Sequence, residues 1–81
     1  MDIYVLFALI SSNIQRIRKD LGLSQEQFAK ELGITRNFLA KIESSNIKQG
    51  MSLDTLFLIS KKYNIDIREF FSGYEKLLDK H

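Results

Sequence analysis

The chain contains no cysteine and no proline, and its single histidine is the last residue, His81. Without cysteine, neither a disulfide framework nor a thiolate zinc site can form. A lone histidine at a chain end, where residues usually fray, does not build a metal site or a histidine-based catalytic site. The chain also offers no Ser/His/Asp set, no paired carboxylates in an apolar setting and no glycine-rich phosphate loop. We therefore expect no cofactor and no enzymatic activity.

Glycine is scarce as well, with four residues, and together with the lack of proline this favours an all-helical chain. The 81 residues suffice for one compact domain, which we place at residues 1–81. A hydrophobic content of 44% with 27% charged residues predicts that this domain folds. The net charge of +2 is mildly basic and by itself proves nothing about nucleic acid, so the positions of the positive charges matter more.

Residues 3–10 form an almost wholly apolar run. A membrane-spanning helix needs about 20 apolar residues, and a signal peptide needs positive charge where this chain has Asp2. We therefore expect a cytoplasmic protein that does not enter a membrane. The spacing predicts one long first helix with an apolar stripe of Ile3, Phe7, Ile10, Ile14, Ile17 and Leu21. A short strand over residues 3–10 is the alternative, since several of these residues favour strands.

Capping residues define the next two helices. Gly22 ends the first helix, and Ser24 with Gln27 forms a capping box that starts a second helix over about residues 25–32. Gly33 ends this helix, and Thr35 caps a third over about residues 36–44. Two short helices joined by a few residues around a glycine are typical of a helix-turn-helix, here residues 24–44.

Two more helices follow a polar loop. Ser52 caps a fourth helix that ends near residue 63 and is expected to bury Leu53, Leu56, Phe57 and Ile59. Asp66 with Glu69 forms another capping box, which opens a fifth helix that continues past Gly73 to residue 78. The sequence thus predicts five helices.

The outward face of the third helix carries the side chains that could read DNA. It comprises Arg36, Asn37, Ala40, Lys41 and Ser44. Arginine suits guanine, asparagine suits adenine, and lysine can serve guanine or a phosphate. Arg36 and Asn37 lie in the first turn, which a recognition helix points at the bases. The alternative is an ordinary solvated helix face.

These elements resemble the Cro/C1-type (XRE) helix-turn-helix family. The resemblance rests on IQRIR (14–18), GLSQEQFA (22–29), LGIT (32–35), LAKIE (39–43) and SLDTL (52–56). It implies a compact five-helix Cro/C1-repressor-like domain that regulates transcription. The apolar N-terminal extension and the ending from Phe70 to His81 resemble, more narrowly, the controller proteins of restriction–modification systems. Ser44 and Ser45 stand where the family often has Asn or Arg then Gly, and Arg36-Asn37-Phe38 where controllers often have Arg-Thr-Tyr. The loop contacts and the operator should therefore differ.

The resemblance also implies roles for individual residues. Base contacts fall to Arg36, Asn37, Lys41 and Ala40. Contacts to the DNA backbone fall to Gln25, Thr35, Phe38, Ser44, Asn46 and Lys48, of which Asn46 and Lys48 are explained equally well by a solvated loop. For Gln25 the physics agrees, because a helix N-terminus favours an anion, although a plain first-turn glutamine is the alternative.

Two further pairs of residues match family positions. Arg18 and Glu43 match a pair that links the first helix to the end of the recognition helix, and we expect a largely buried, bidentate ion pair. Glu26 and Glu31 lie where activating members carry acids that touch RNA polymerase. A solvated acidic helix face is the alternative reading of those two acids.

A C-terminal apolar stripe predicts a homodimer. The stripe comprises Phe70, Phe71, Tyr74, Leu77 and Leu78 within residues 66–80, and a leftover apolar stripe usually marks a contact surface. We place the dimer seam there, with help from the fourth helix. The alternative is that the stripe folds back onto Ile3, Phe7 and Ile10 of the same chain.

The expected partners are therefore double-stranded DNA, a second copy of the chain and, for an activator, RNA polymerase. The expected function is that of a sequence-specific regulator binding a palindromic operator. The alternative is a phage-type repressor, or an antitoxin whose main role is to bind a partner protein.

Overall fold

A computed structural model describes residues 2–44 and 52–78. The helices are α1 (Ile3–Asp20), α2 (Gln25–Leu32), α3 (Arg36–Ile42), α4 (Leu53–Tyr63), a 3₁₀ helix (Ile67–Phe71) and α5 (Tyr74–Leu78). These two stretches contain no strand, which confirms the all-α class. None of their helices is long and apolar enough to cross a membrane. Asn46 and Lys48 lie outside the described residues.

The apolar run at the N-terminus is part of α1. The Asp2 carboxylate caps this helix by accepting a 2.8 Å hydrogen bond from the backbone N–H of Tyr4. Ile10, Ile14 and Ile17 are buried at helical spacing, which explains why the run does not form the alternative strand. The predicted stripe is wrong at its ends, because both Ile3 and Leu21 are exposed.

The caps read from the sequence set the ends of α2 and the start of α3. In the capping box, the Ser24 hydroxyl accepts from the N–H of Gln27 and the Gln27 side chain accepts from the N–H of Ser24. Gly33 ends α2 with φ of 72°, a left-handed conformation that favours glycine. The Thr35 hydroxyl accepts from the N–H of Phe38 at 3.0 Å. α3 ends at Ile42, two residues before the predicted end.

The core lies between α1, α2, α3, α4 and the 3₁₀ helix. Phe28, Leu39, Ile59 and Phe70 contribute fully buried side chains from four different elements. The other buried apolar residues are Ile10, Ile14, Ile17, Ala29, Leu32, Ile42 and Leu56. The fourth helix differs from its prediction, because Leu53 and Phe57 are exposed rather than buried.

The fifth helix is present, but its predicted continuity from residue 66 past Gly73 is wrong, since the chain breaks at Ser72 and Gly73. The 3₁₀ helix ends at Phe71, Gly73 takes φ of 92°, and α5 starts at Tyr74. The Asn13 amide holds this break by donating to the carbonyls of Phe70 at 2.9 Å and Ser72 at 3.0 Å. Because the helix is interrupted here, these two carbonyls have no helical N–H partner. The Asn13 side chain on α1 donates to them instead.

Candidate nucleic-acid interface

The outer face of α3 is polar and exposed. Arg36, Asn37, Ala40 and Lys41 are all exposed, while Leu39 and Ile42 on the opposite face are buried in the core. α3 is too short to be stable alone, so the packing of its buried face holds it in place. This packing also fixes which face of the helix points outward. The structure thus presents the four predicted base-contacting residues together on one face.

A polar cleft opens where the start of α2 meets the start of α3. It is lined by Arg18, Ser24, Gln25, Glu26 and Arg36. The N-terminal end of α2 carries free backbone N–H groups and a partial positive charge, which favour an anion. Two arginines and an amide donor in the same cleft add to this preference, whereas the carboxylate of Glu26 opposes it.

Below the cleft, the carboxylate of Glu43 joins three elements. Its Oε2 accepts from Arg18 Nε at 2.8 Å, and its Oε1 accepts from Gln25 Nε2 at 3.0 Å. Arg18 Nη1 donates to the carbonyl of Leu23 at 2.9 Å. The Arg18 and Glu43 side chains are only 10% and 2% exposed. The predicted pairing of these residues is present, but the expected bidentate geometry is wrong because Gln25 and Leu23 take the remaining bonds.

The remaining predicted backbone contacts surround α3. Thr35 is exposed at its N-cap. Phe38 follows Arg36 and Asn37 in the sequence. It is 40% exposed, so much of its ring lies on the surface. Ser44 is half-buried just after the helix, and its N–H donates to the carbonyl of Lys41.

The two acids predicted to touch polymerase differ in their surroundings. Glu26 is exposed in the first turn of α2 and lines the polar cleft. Glu31 accepts a 2.6 Å hydrogen bond from the Tyr63 hydroxyl, and the Tyr63 ring lies 5.5 Å from that of Phe28. Partial burial, followed by the bond to Glu31 and its charge, raises the pKa of the Tyr63 phenol far above its ordinary value. Glu31 therefore already has a structural partner in this chain.

The predicted dimer stripe is divided between the core and the surface. Phe70 is fully buried, so its assignment to a dimer interface is wrong. The reason is that the 3₁₀ helix packs its ring into the core, close to where the Asn13 amide holds the carbonyl of Phe70. Phe71 and Leu77 are half-buried, whereas Tyr74 and Leu78 are exposed. Phe70 shares the buried core with Ile10, and Phe7 packs against this core, as the fold-back alternative expects, whereas Ile3 is exposed.

Among residues 2–44 and 52–78, the most exposed apolar side chains lie elsewhere, on α4. Leu53 is 67% exposed and Phe57, one turn later, is 57% exposed, with the Lys61 ammonium 5.9 Å from the centre of the Phe57 ring. Their i, i+4 spacing was read as a core face, and sequence periodicity cannot distinguish a core face from an exposed apolar one. The Asn13 contacts were also missed, although a polar residue on the stripe of Ile10, Ile14 and Ile17 is a signal for a buried hydrogen-bonding role.

Comparison with known proteins agrees with this geometry. The sequence matches the helix-turn-helix family over residues 14–70, which include the helix-turn-helix itself and the core around it. The chain belongs to the Cro/C1-type helix-turn-helix family of DNA-binding transcriptional regulators. The family resemblance carried by the five motifs between residues 14 and 56 is thereby confirmed. No solved structure gives a significant match to the chain.

Several regulators are similar to this chain. Control protein C.MunI of Mycoplasma sp is 36% identical over 66 residues, which is 80% of this chain and 86% of that protein. Antitoxin PezA of Streptococcus pneumoniae is 31% identical over 71 residues, 88% of this chain and 43% of PezA. The HTH-type transcriptional regulator PuuR of Escherichia coli is 35% identical over 63 residues, 78% of this chain and 33% of PuuR. The chain thus spans less than half the length of PezA and of PuuR.

Proposed function

We propose that this protein is a sequence-specific transcriptional regulator that binds a palindromic operator as a homodimer. The observation that carries the proposal is the exposed face of α3, which presents Arg36, Asn37 and Lys41 to solvent. The opposite face of this helix is buried in the core. In this arrangement the side chains that pair with guanine and adenine lead into the major groove. Ala40 lies between them and offers a methyl contact for thymine.

The DNA backbone is gripped around this helix. Gln25 and Thr35 lie at the starts of α2 and α3, where free N–H groups favour a phosphate. Arg36 shares the polar cleft with Gln25, so a phosphate in the cleft would lie beside the base-reading residues. Phe38, Ser44, Asn46 and Lys48 complete the proposed backbone contacts. Such contacts set the register on DNA, and the bases then supply specificity.

A second copy is needed because one module with a net charge of +2 contacts little DNA. Two modules on a palindrome double the contacts and place the half-sites about one helical turn apart. We propose that the seam combines α4, through Leu53 and Phe57, with the surface part of residues 66–80, through Tyr74 and Leu78. Exposed apolar residues of this size on two elements favour a contact surface over solvent. Phe71 and Leu77, half-buried, lie at its margin.

Within this function, we propose the role of a controller protein of a restriction–modification system. The support is the similarity to control protein C.MunI, which extends over most of both chains. Activation would use Glu26, which remains exposed on α2, while Glu31 already has Tyr63 as a partner. An adjacent endonuclease and methyltransferase in the source genome is the expected arrangement of neighbouring genes.

A gel-shift experiment with a fragment from the gene's own upstream region tests DNA binding. We expect a retarded complex whose affinity falls steeply with salt, since phosphate contacts release counterions. Arg36→Ala should weaken the complex, whereas Arg68→Ala removes the same side chain from the 3₁₀ helix and should not. Absence of a complex at low salt, also with duplexes drawn from a random-sequence pool, would contradict the proposal.

The second candidate is an antitoxin-like protein whose main role is to bind a partner protein. It is favoured by the match to antitoxin PezA over 88% of this chain. The same gel shift separates the two functions, because a chain acting only on a partner protein needs no affinity for a particular DNA sequence.

A further inference from the structure

The carboxylate of Glu43 is shared between two donors from different helices. Its two oxygens accept separately from Arg18 on α1 and from Gln25 at the first position of α2. Glu43 is the C-cap of the recognition helix, directly after its last residue, Ile42. One buried carboxylate therefore ties the start of α2 to the end of α3.

The bond to Glu43 restricts a side chain that would otherwise be flexible. Glutamine has several rotatable bonds and loses considerable rotamer entropy when it is fixed on a ligand. Its amide nitrogen carries two N–H groups, so the bond to Glu43 leaves the second for another acceptor. Gln25 is half-buried and lines the polar cleft with Ser24 and Arg36. The remaining donor is thus available to an anion in that cleft.

We infer that Glu43 is a positioning residue, whose carboxylate orients the Gln25 amide for a DNA phosphate before DNA arrives. This inference rests on the proposed function, in which the start of α2 contacts the DNA backbone. Prior ordering lowers the entropic cost of association and so tightens binding without a new contact. Arg18 makes the arrangement possible, because without it Glu43 would be a costly unpaired charge in the core.

Two variants at position 43 separate this role from stability. Glu43→Asp keeps a negative charge for Arg18 but withdraws the carboxylate from Gln25 by one methylene. Glu43→Gln keeps the length but removes the charge and with it the strong acceptor. Gln25→Ala removes the oriented amide itself, and Asn37→Ala removes a proposed base contact outside the polar cleft.

The experiment is a double-mutant cycle on DNA affinity, at a temperature where circular dichroism shows every variant folded. The probe is a duplex of about 30 base pairs, long enough for two half-sites, selected by the wild-type protein from a random-sequence pool. Glu43→Asp should weaken binding about three- to tenfold, the effect of freeing one side chain. It should cause no further loss when Gln25 is already alanine, but the full loss when Asn37 is alanine.

Three results would overturn the inference or its basis. Equal losses from Glu43→Asp with and without the Gln25 amide would mean that Glu43 acts through the fold alone. Unchanged affinity in Gln25→Ala, with weakened binding in Arg36→Ala, would remove the inference and leave the proposed function intact. Failure of the wild-type protein to select any duplex would instead overturn the proposed function.

The wild-type protein provides a test that does not depend on the stability of variants. In NMR relaxation measurements, the nitrogen of the Gln25 side-chain amide should show restricted motion in the free protein, because its bond to Glu43 is already formed. This motion should change little on the DNA complex, while the signal of the proton not bonded to Glu43 shifts. A Gln25 amide that is mobile in the free protein and becomes rigid only on DNA would contradict prior ordering.

Discussion

At the scale of single residues, Arg36 is the side chain with the clearest expected effect on specificity. It is exposed in the first turn of α3 and lines the polar cleft. Arg36→Ala should cost about 1–3 kcal/mol of binding free energy and relax the preference at one base position, because a bidentate contact to guanine would be lost. Affinity measured on operators substituted at each position checks this. Equal weakening on every sequence would assign Arg36 to a phosphate instead.

Arg18 carries the largest expected effect of a single residue on stability. Arg18→Ala leaves the Glu43 carboxylate buried with only the Gln25 amide as a donor, and should lower the free energy of unfolding by about 3–5 kcal/mol. Chemical denaturation measures this loss. Arg68→Ala, which breaks an exposed ion pair with Asp66, is the control and should leave stability nearly unchanged. An unchanged melting temperature in Arg18→Ala would contradict a stabilising pair.

The positions of these residues could be predicted from the sequence to different degrees. The exposure of Arg36, Asn37 and Lys41 could be predicted because helical spacing places them on a polar face opposite the apolar Leu39 and Ile42. The meeting of Arg18 with Glu43 depended on the family resemblance. The bond from Gln25 to Glu43 joins residues 18 positions apart, and no local pattern encodes it.

At the scale of elements, Asn13 holds the C-terminal part of the chain on α1. Its amide uses both N–H groups on the carbonyls of Phe70 and Ser72. Asn13→Ala should lower the free energy of unfolding by about 1–3 kcal/mol, since buried carbonyls lose their partners. Asn13→Ala should also increase the rate of backbone hydrogen exchange more in α5 than in α2. Ser12→Ala changes an exposed neighbour and is the control. Equal rates of hydrogen exchange in Asn13→Ala and Ser12→Ala would contradict the role of Asn13.

The ends of α2 and the start of α3 were predictable because their caps are local. Ser24, Gly33 and Thr35 sit where the structure uses them, because each acts on backbone groups within three or four residues. The fifth helix was predicted wrongly for the opposite reason. Its break at Ser72 depends on the distant Asn13 amide, and apolar spacing ran unbroken across Gly73.

At the scale of the whole molecule, the expected homodimer depends on α4. Phe57→Glu places a charge in an exposed position, so the single chain should remain folded while the proposed seam is disrupted. Sedimentation equilibrium at micromolar concentration should give the mass of a dimer for the wild-type protein and of a monomer for Phe57→Glu. Ser12→Glu adds the same charge to α1 and should stay dimeric. A dimer that survives Phe57→Glu would place the seam elsewhere.

The buried contact between Asn13 and residues 70–72 also has a consequence for protein synthesis. Phe70 and Ser72 lie 57 and 59 positions after Asn13 in the sequence. A ribosome adds about 5–20 residues per second. Roughly 3–12 s therefore pass between the synthesis of Asn13 and the synthesis of the segment that packs against α1. During this time its isoleucines are exposed to chaperones and proteases. Stalled nascent chains that stop before Phe70 should be digested rapidly, whereas chains in which residue 78 has left the exit tunnel should resist. Resistance of the shorter chains would mean that the earlier helices fold without this closure.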